Sequence, residues 1–161
     1  MNILTDSLPA LALGVEPIEK GIMKRKPRQP DEKIFSKSIL TNMFFVGIVM
    51  SVGTLVIFWQ YLPKGVQYAQ TMAFTTLVMF QMFNVLNSKS EKKSLFEVGV
   101  FSNKYLIGAI LSSVAIQFAL LYTPLQKVFG TVSITGQDWV IILVTSASII
   151  VLMEIYKLAK R

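Results

Sequence analysis

ILTNMFFVGIVMSVGTLVIFWQYL, residues 39–62, runs for 24 residues without a charged side chain. At 1.5 Å of rise per residue, a helix of that length covers about 36 Å, more than the roughly 30 Å hydrocarbon core of a bilayer. A soluble core helix would turn a charged face to water; this stretch has none to turn. Working outward, the runs 66–88 and 105–126 hold 23 and 22 residues without a charge. A fourth run, 139–153, holds 15 and lies between Asp138 and Glu154. It reaches spanning length if Gln137 and Asp138 open the helix at one interface and residues 154–156 close it at the other. The pattern predicts an all-α membrane protein: a bundle of four complete transmembrane helices over 39–156, preceded by a partial N-terminal helix. Residues 1–13 form that partial helix. They are apolar apart from Asn2, Thr5, Asp6 and Ser7, and thirteen residues rise only about 20 Å. The stretch reads as the second part of a longer helix.

Composition agrees. Hydrophobic residues make up 53% of the 161 residues and charged residues 16%, against about 25% charged in a soluble domain. Lipid is the expected solvent. No basic segment precedes the first apolar run and no small-residue cleavage site follows it, so a secretory leader is not expected. Cysteine and histidine are absent, which excludes disulfides and thiolate or imidazole metal sites. Any ion would be held by oxygen, the ligand of hard cations such as calcium, magnesium, sodium or potassium.

The net charge of +7 could indicate nucleic acid, but its distribution says otherwise. The connections alternate. Residues 14–38 hold seven basic residues, 63–65 hold one, 89–104 hold four, 123–138 hold one and the tail 157–161 holds three. With four crossings, fourteen of the sixteen fall on one side, and the positive-inside rule makes that side cytoplasmic. The expected organisation is therefore 1–13 partial helix, 14–38 basic cytoplasmic loop, 39–156 four-helix bundle and 157–161 cytoplasmic tail. Loop 89–104 is also placed on the cytoplasmic side. Nucleic acid is not an expected partner; membrane lipid is. Pro63-Lys64-Gly65 reads as a tight turn, and Pro17, Pro27 and Pro30 break the first connection. Trp59, Tyr61, Tyr68, Tyr105, Tyr122, Trp139 and Tyr156 stand near span ends, where interfacial aromatics gather.

Asp6 carries the most chemical information. It is the only charge between residues 1 and 15, and a carboxylate at bilayer depth costs about 2.5–3.5 kcal/mol on insertion scales. Asn2, Thr5 and Asp6 stand at i, i+3 and i+4, which aligns three oxygen-bearing side chains on one helix face. Pro9 has no N–H, so the Thr5 carbonyl four residues earlier loses its helical partner. Broken helices with freed carbonyls are how transporters build cation sites. The plainer alternative puts Asp6 and Pro9 at a solvated helix end. In the second run, Gln81, Asn84 and Ser88 form one stripe. Interhelical hydrogen bonding explains it more simply than ion binding does. Glu154 and Lys157, at i and i+3, read as an interfacial pair within one helix. No phosphate-binding glycine loop and no nucleophile–base pair is present.

The run 2–14, NILTDSLPALALG, resembles the sixth transmembrane helix of P-type ATPases of the calcium, sodium–potassium and proton–potassium group, whose pattern is N-L-x-T-D-G/S-x-P-A-x-A-L. Glu16-Pro17 and 21–28, GIMKRKPR, resemble the cytoplasmic loop that follows. Residues 83–88, FNVLNS, are similar to the end of the eighth helix, and Trp139 with 154–161 to the tenth helix and its tail. The resemblance runs along the whole chain in order and is closest to calcium pumps. It implies that Asn2 and Asp6 are cation ligands and that Thr5 matches a ligand of the other site in two-calcium pumps. Gln81 stands where two-site pumps carry a glutamate; plasma-membrane and secretory-pathway pumps have glutamine there, which implies a single calcium ion.

The resemblance also implies a partner, the remaining N-terminal half of the pump. The phosphorylation motif D-K-T-G-T, the T-G-E-S loop and the nucleotide-binding domain are not in these residues. ATP and Mg therefore belong to the missing part, this chain alone is not expected to hydrolyse ATP, and no cofactor is expected within it. The transported cation is its ligand, with calcium favoured, in a pump of the cell membrane. Two rivals stand beside this reading: a stand-alone four-span accessory or scaffold protein, and an ATP-independent ion carrier.

Overall fold

The computed structural model describes residues 2–17, 37–90 and 94–159, with only the backbone for 2–6 and 38. Most of the expected basic loop 14–38, part of 89–104 and the last two residues of the tail lie outside the described residues. Among the described residues there is no strand.

Helix α1 spans Asn2–Gly14 with Pro9 inside it, and α2 spans Lys37–Tyr61. A single 3-10 turn over Leu62–Lys64 follows, and Gly65 at φ 113° reverses the chain, a conformation that costs a residue without a Cβ little. Then come α3 (Val66–Asn87), the short α4 (Leu95–Val98), α5 (Lys104–Tyr122), the short α6 (Leu125–Phe129) and α7 (Gly136–Ala159). The run expected to continue to residue 126 stops earlier, at Tyr122. Pro124 is the reason: it holds Thr123 extended, at φ −117° and ψ 173°, and cannot continue the helical hydrogen bonds. Absence of charge did not register that proline.

Among the described residues, three helices are long and apolar enough to cross a membrane: Ile39–Lys64, Lys104–Tyr122 and Gly136–Ala159. The expected four are thus met for three by length and composition. At 22 residues, α3 has the length, but its glutamines, threonines and asparagines dilute its apolar character. Its position compensates. Helix α3 lies against both α2 and α7 and also meets α1 and α5, and Thr71, Thr75 and Thr76 are buried. Each threonine hydroxyl donates to the carbonyl four residues earlier, at 2.9, 2.8 and 2.8 Å, so none of the three enters the interior unsatisfied. Helix α2 is the opposite case, with Phe44, Ile48, Val52, Leu55 and Trp59 exposed. That surface suits hydrocarbon, not water.

Small residues permit the closest approach. A Cβ on Gly53 of α2 would lie 2.6 Å from Cζ of Phe80, so the α3 ring occupies the space a side chain would need. Phe80 continues into a core with Ile149 and Met153 of α7. A second core joins Ala12 of α1 to Leu106 and Ala109 of α5, with Val85 and Leu86 of α3 against it. The C-terminal ends of α1 and α3 therefore meet the beginning of α5. Tyr61, expected at an interface, is buried and stacks on Tyr68.

Candidate cation site

Asn2, Thr5 and Asp6 lie in the helical backbone of α1, on one face by register; their side chains are outside the described residues. Pro9, one turn on, is buried in the helix. Gln81 is in α3 with a partly buried side chain, four residues before Val85, which packs at the C-terminal part of α1. The four expected ligands are thus related through the two helices that carry them. Among the described residues, no group of three or more Asp, Glu, His or Cys is placed to hold a metal ion. A site made of amides, a hydroxyl, a carbonyl and one carboxylate would not form such a group.

The helix carrying the trio is fixed at its other end. The Nδ2 of Asn103 donates to the Ala12 carbonyl at 2.8 Å and to Glu16 Oε2 at 2.7 Å. Its Oδ1 accepts from the Leu106 amide at 3.0 Å and so caps α5. One amide side chain ends α1 and begins α5. Beside it, Lys89 Nζ donates to the Gly99 carbonyl at 2.7 Å and to Ser102 Oγ at 2.6 Å, and lies 3.3 Å from Glu16 Oε1. The Lys89 side chain is 1% exposed.

Glu154 and Lys157, expected as a pair within the helix, each reach a different element. Glu154 Oε1 accepts from the Leu95 amide at 2.8 Å, and the buried Lys157 donates to the Asn87 carbonyl at 3.0 Å. In the polar stripe of α3, Ser88 bonds back to the Asn84 carbonyl of its own helix at 3.0 Å. Contact between helices is also made by Gln117 Nε2 with Thr75 Oγ1 at 3.0 Å, and by Ser146 Oγ with the Thr76 carbonyl at 3.2 Å.

At the opposite end of the bundle, Asp138 accepts from the Thr135 amide and hydroxyl, at 2.8 and 2.5 Å, and from the Tyr68 hydroxyl. Thr135 Oγ1 accepts in return from the Asp138 amide at 3.3 Å, a reciprocal cap on α7. Lys64 lies over the rings of Tyr61 and Tyr68, 4.8 and 5.4 Å from their centroids. Sequence reasoning placed Asp138 at an interface and missed its burial. It counted Lys89 only as a topological charge, and gave no weight to Asn103, although asparagine just before an apolar run is a capping signal.

The family model described as cation transporting ATPase, C-terminus, matches residues 1–159. The chain belongs to this family. The resemblance seen in 2–14 and 83–88 is borne out along the chain. A "Calcium-transporting ATPase" of Bacillus subtilis (strain 168) is 41% identical over 151 residues, covering 91% of this chain and 17% of the relative. The "Calcium-transporting ATPase type 2C member 1" of Homo sapiens is 38% identical over 164 residues, covering 100% of this chain and 18% of the relative. "Calcium-transporting ATPase 1" of Bacillus cereus (strain ATCC 10987 / NRS 248) is 36% identical over 180 residues, covering all of this chain and 20% of the relative. This cation-transporting ATPase C-terminal region thus spans about a fifth or less of its relatives' length.

Proposed function

We propose that the chain is the membrane portion of an ATP-driven calcium pump, contributing part of the intramembrane ion site and a loop that couples it to the phosphorylated domain. The observation carrying this reading is the family match over residues 1–159, with relatives named as calcium-transporting ATPases. It is supported by helix α1, which carries an acidic residue and an internal proline.

In this reading α3 crosses the membrane with α2, α5 and α7, its polar residues shielded by those neighbours. The bundle covers 39–156, and residues 14–38, 89–104 and the tail 157–161 face the cytoplasm. Asp6 supplies the negative charge for the cation. Asn2 and Thr5 add oxygens on the same face, as does the Thr5 carbonyl released by Pro9. Gln81 completes the set from α3. Being neutral, it limits the site to one divalent ion. The rest of the pump supplies the phosphorylated aspartate, with ATP and Mg. Phosphorylation there changes the access and affinity of the site through loop 14–38.

The test is cation-stimulated phosphorylation of the intact pump, ion by ion. Calcium is expected to stimulate, and Asp6→Asn to abolish the stimulation while phosphorylation by inorganic phosphate persists. Normal calcium dependence in Asp6→Asn overturns the assignment.

A further inference from the structure

Lys89 stands two residues beyond the end of α3, where a charged side chain would ordinarily reach for water. Instead it turns inward and is 1% exposed. An ammonium has three donors, and its acceptors come from separate parts of the chain. They are the Gly99 carbonyl at 2.7 Å, the Val100 carbonyl at 3.4 Å, Ser102 Oγ at 2.6 Å and Glu16 Oε1 at 3.3 Å. Gly99, at φ 90°, gives the loop a backbone conformation that a side-chain-bearing residue rarely adopts.

Glu16 divides its two oxygens. Oε1 faces Lys89 and accepts from Ser102 at 3.3 Å, while Oε2 accepts from Asn103 at 2.7 Å. Asn103 also donates to the Ala12 carbonyl, in the last turn of α1, where the backbone donor to it is the Val15 amide at 3.3 Å. Glu16, Lys89 and Asn103 thus form a clasp joining the end of α1, the end of α3 and the start of α5. Each member has another partner in the clasp, so α1 cannot slide or rotate at that end without breaking several bonds together.

We propose that Lys89 is a positioning residue for cation binding: by clasping Glu16 it sets the register of α1 against α3, and thereby the alignment of the ligand row on α1 with Gln81. The proposal rests on the reading of α1 as the ligand helix. Asp6 precedes Ala12 by six residues, about 9 Å along the axis, and Gln81 precedes Lys89 by eight, about 12 Å. The clasp lies too far away to touch a bound ion. It acts by fixing where two rigid rods stand, and an error of about 1 Å in such placement weakens a coordinating site severely.

The experiment measures calcium-stimulated phosphorylation of the intact pump carrying Lys89→Met, Glu16→Gln or both, with Asp6→Asn alongside. Each single variant is expected to raise the calcium concentration for half-maximal phosphorylation by roughly three- to tenfold. The maximal phosphoenzyme per folded pump, and phosphorylation by inorganic phosphate, are expected to persist. The double variant is expected to be no worse than the poorer single, because both break one clasp. An unchanged half-maximal concentration, a loss of maximal level alone, or multiplying shifts in the double variant would each overturn the proposal. If Lys89→Met does not accumulate, Glu16→Gln decides it. A calcium response abolished in Asp6→Asn but with normal affinity in the clasp variants sinks the clasp only. A normal response in Asp6→Asn sinks the ligand assignment itself.

Discussion

Both ends of the bundle place a lysine beside a carboxylate, and they do so in opposite ways. At the turn end, Asp138 is buried and Lys64 stays in the open, 3% and 58% exposed across 3.9 Å. At the other end the lysine is hidden, with Lys89 at 1%, Glu16 at 16% and 3.3 Å between them. Asp138 is satisfied by its own helix cap and a tyrosine hydroxyl, so the ammonium over it is an addition. Lys89 is itself the hub, and the surrounding carbonyls and carboxylate have arranged themselves around it. The value of an ion pair therefore depends on which partner lost its water.

Four substitutions probe that contrast, each read by thermal unfolding in detergent. Lys89→Met is expected to cost the most, about 3–5 kcal/mol, because Glu16 and two loop carbonyls lose a buried partner. Asp138→Ala follows at about 1–3 kcal/mol, since the Thr135 amide and the Tyr68 hydroxyl are left without their acceptor. Tyr68→Phe removes one of the donors to Asp138 and should cost about 1 kcal/mol. Lys64→Gln should cost under about 1 kcal/mol, and concentrated salt should erase even that. A Lys64→Gln loss as large as that of Lys89→Met would break the comparison. A larger loss from Asp138→Ala than from Lys89→Met would reverse it.

How much of this was legible in the sequence follows from the range of each interaction. Absence of charge over 39–62 is a property of consecutive residues, and it led directly to α2. The Pro63–Gly65 turn is equally local. That Pro124 ends α5 at Tyr122 was missed because charge alone was tracked across 105–126. Spacing put Asn2, Thr5 and Asp6 on one face because helical periodicity needs no partner. Bonds between distant residues were hidden. Ala12 and Asn103 are 91 positions apart, and nothing in either neighbourhood announces the other. Lys89 was misjudged for the same reason: its acceptors enter the chain up to thirteen residues later, except Glu16, which lies far upstream. Gln81 was singled out for its stripe, whereas Gln117, set among the apolar residues of α5, makes the buried bond to Thr75.

The threonines of α3 spend their hydroxyls on their own backbone, so a segment less apolar letter by letter than its long neighbours becomes oilier once it coils. Such a segment has little reason to leave the translocation channel sideways on its own account. Helix α2, made just before it and free of charge from Ile39 onward, gives it a surface to follow, and α7, made later, closes over the opposite side. In the proposed four-span arrangement the order of synthesis thus doubles as an assembly instruction, with the least lipophilic member escorted into the bilayer by the neighbours that later conceal it.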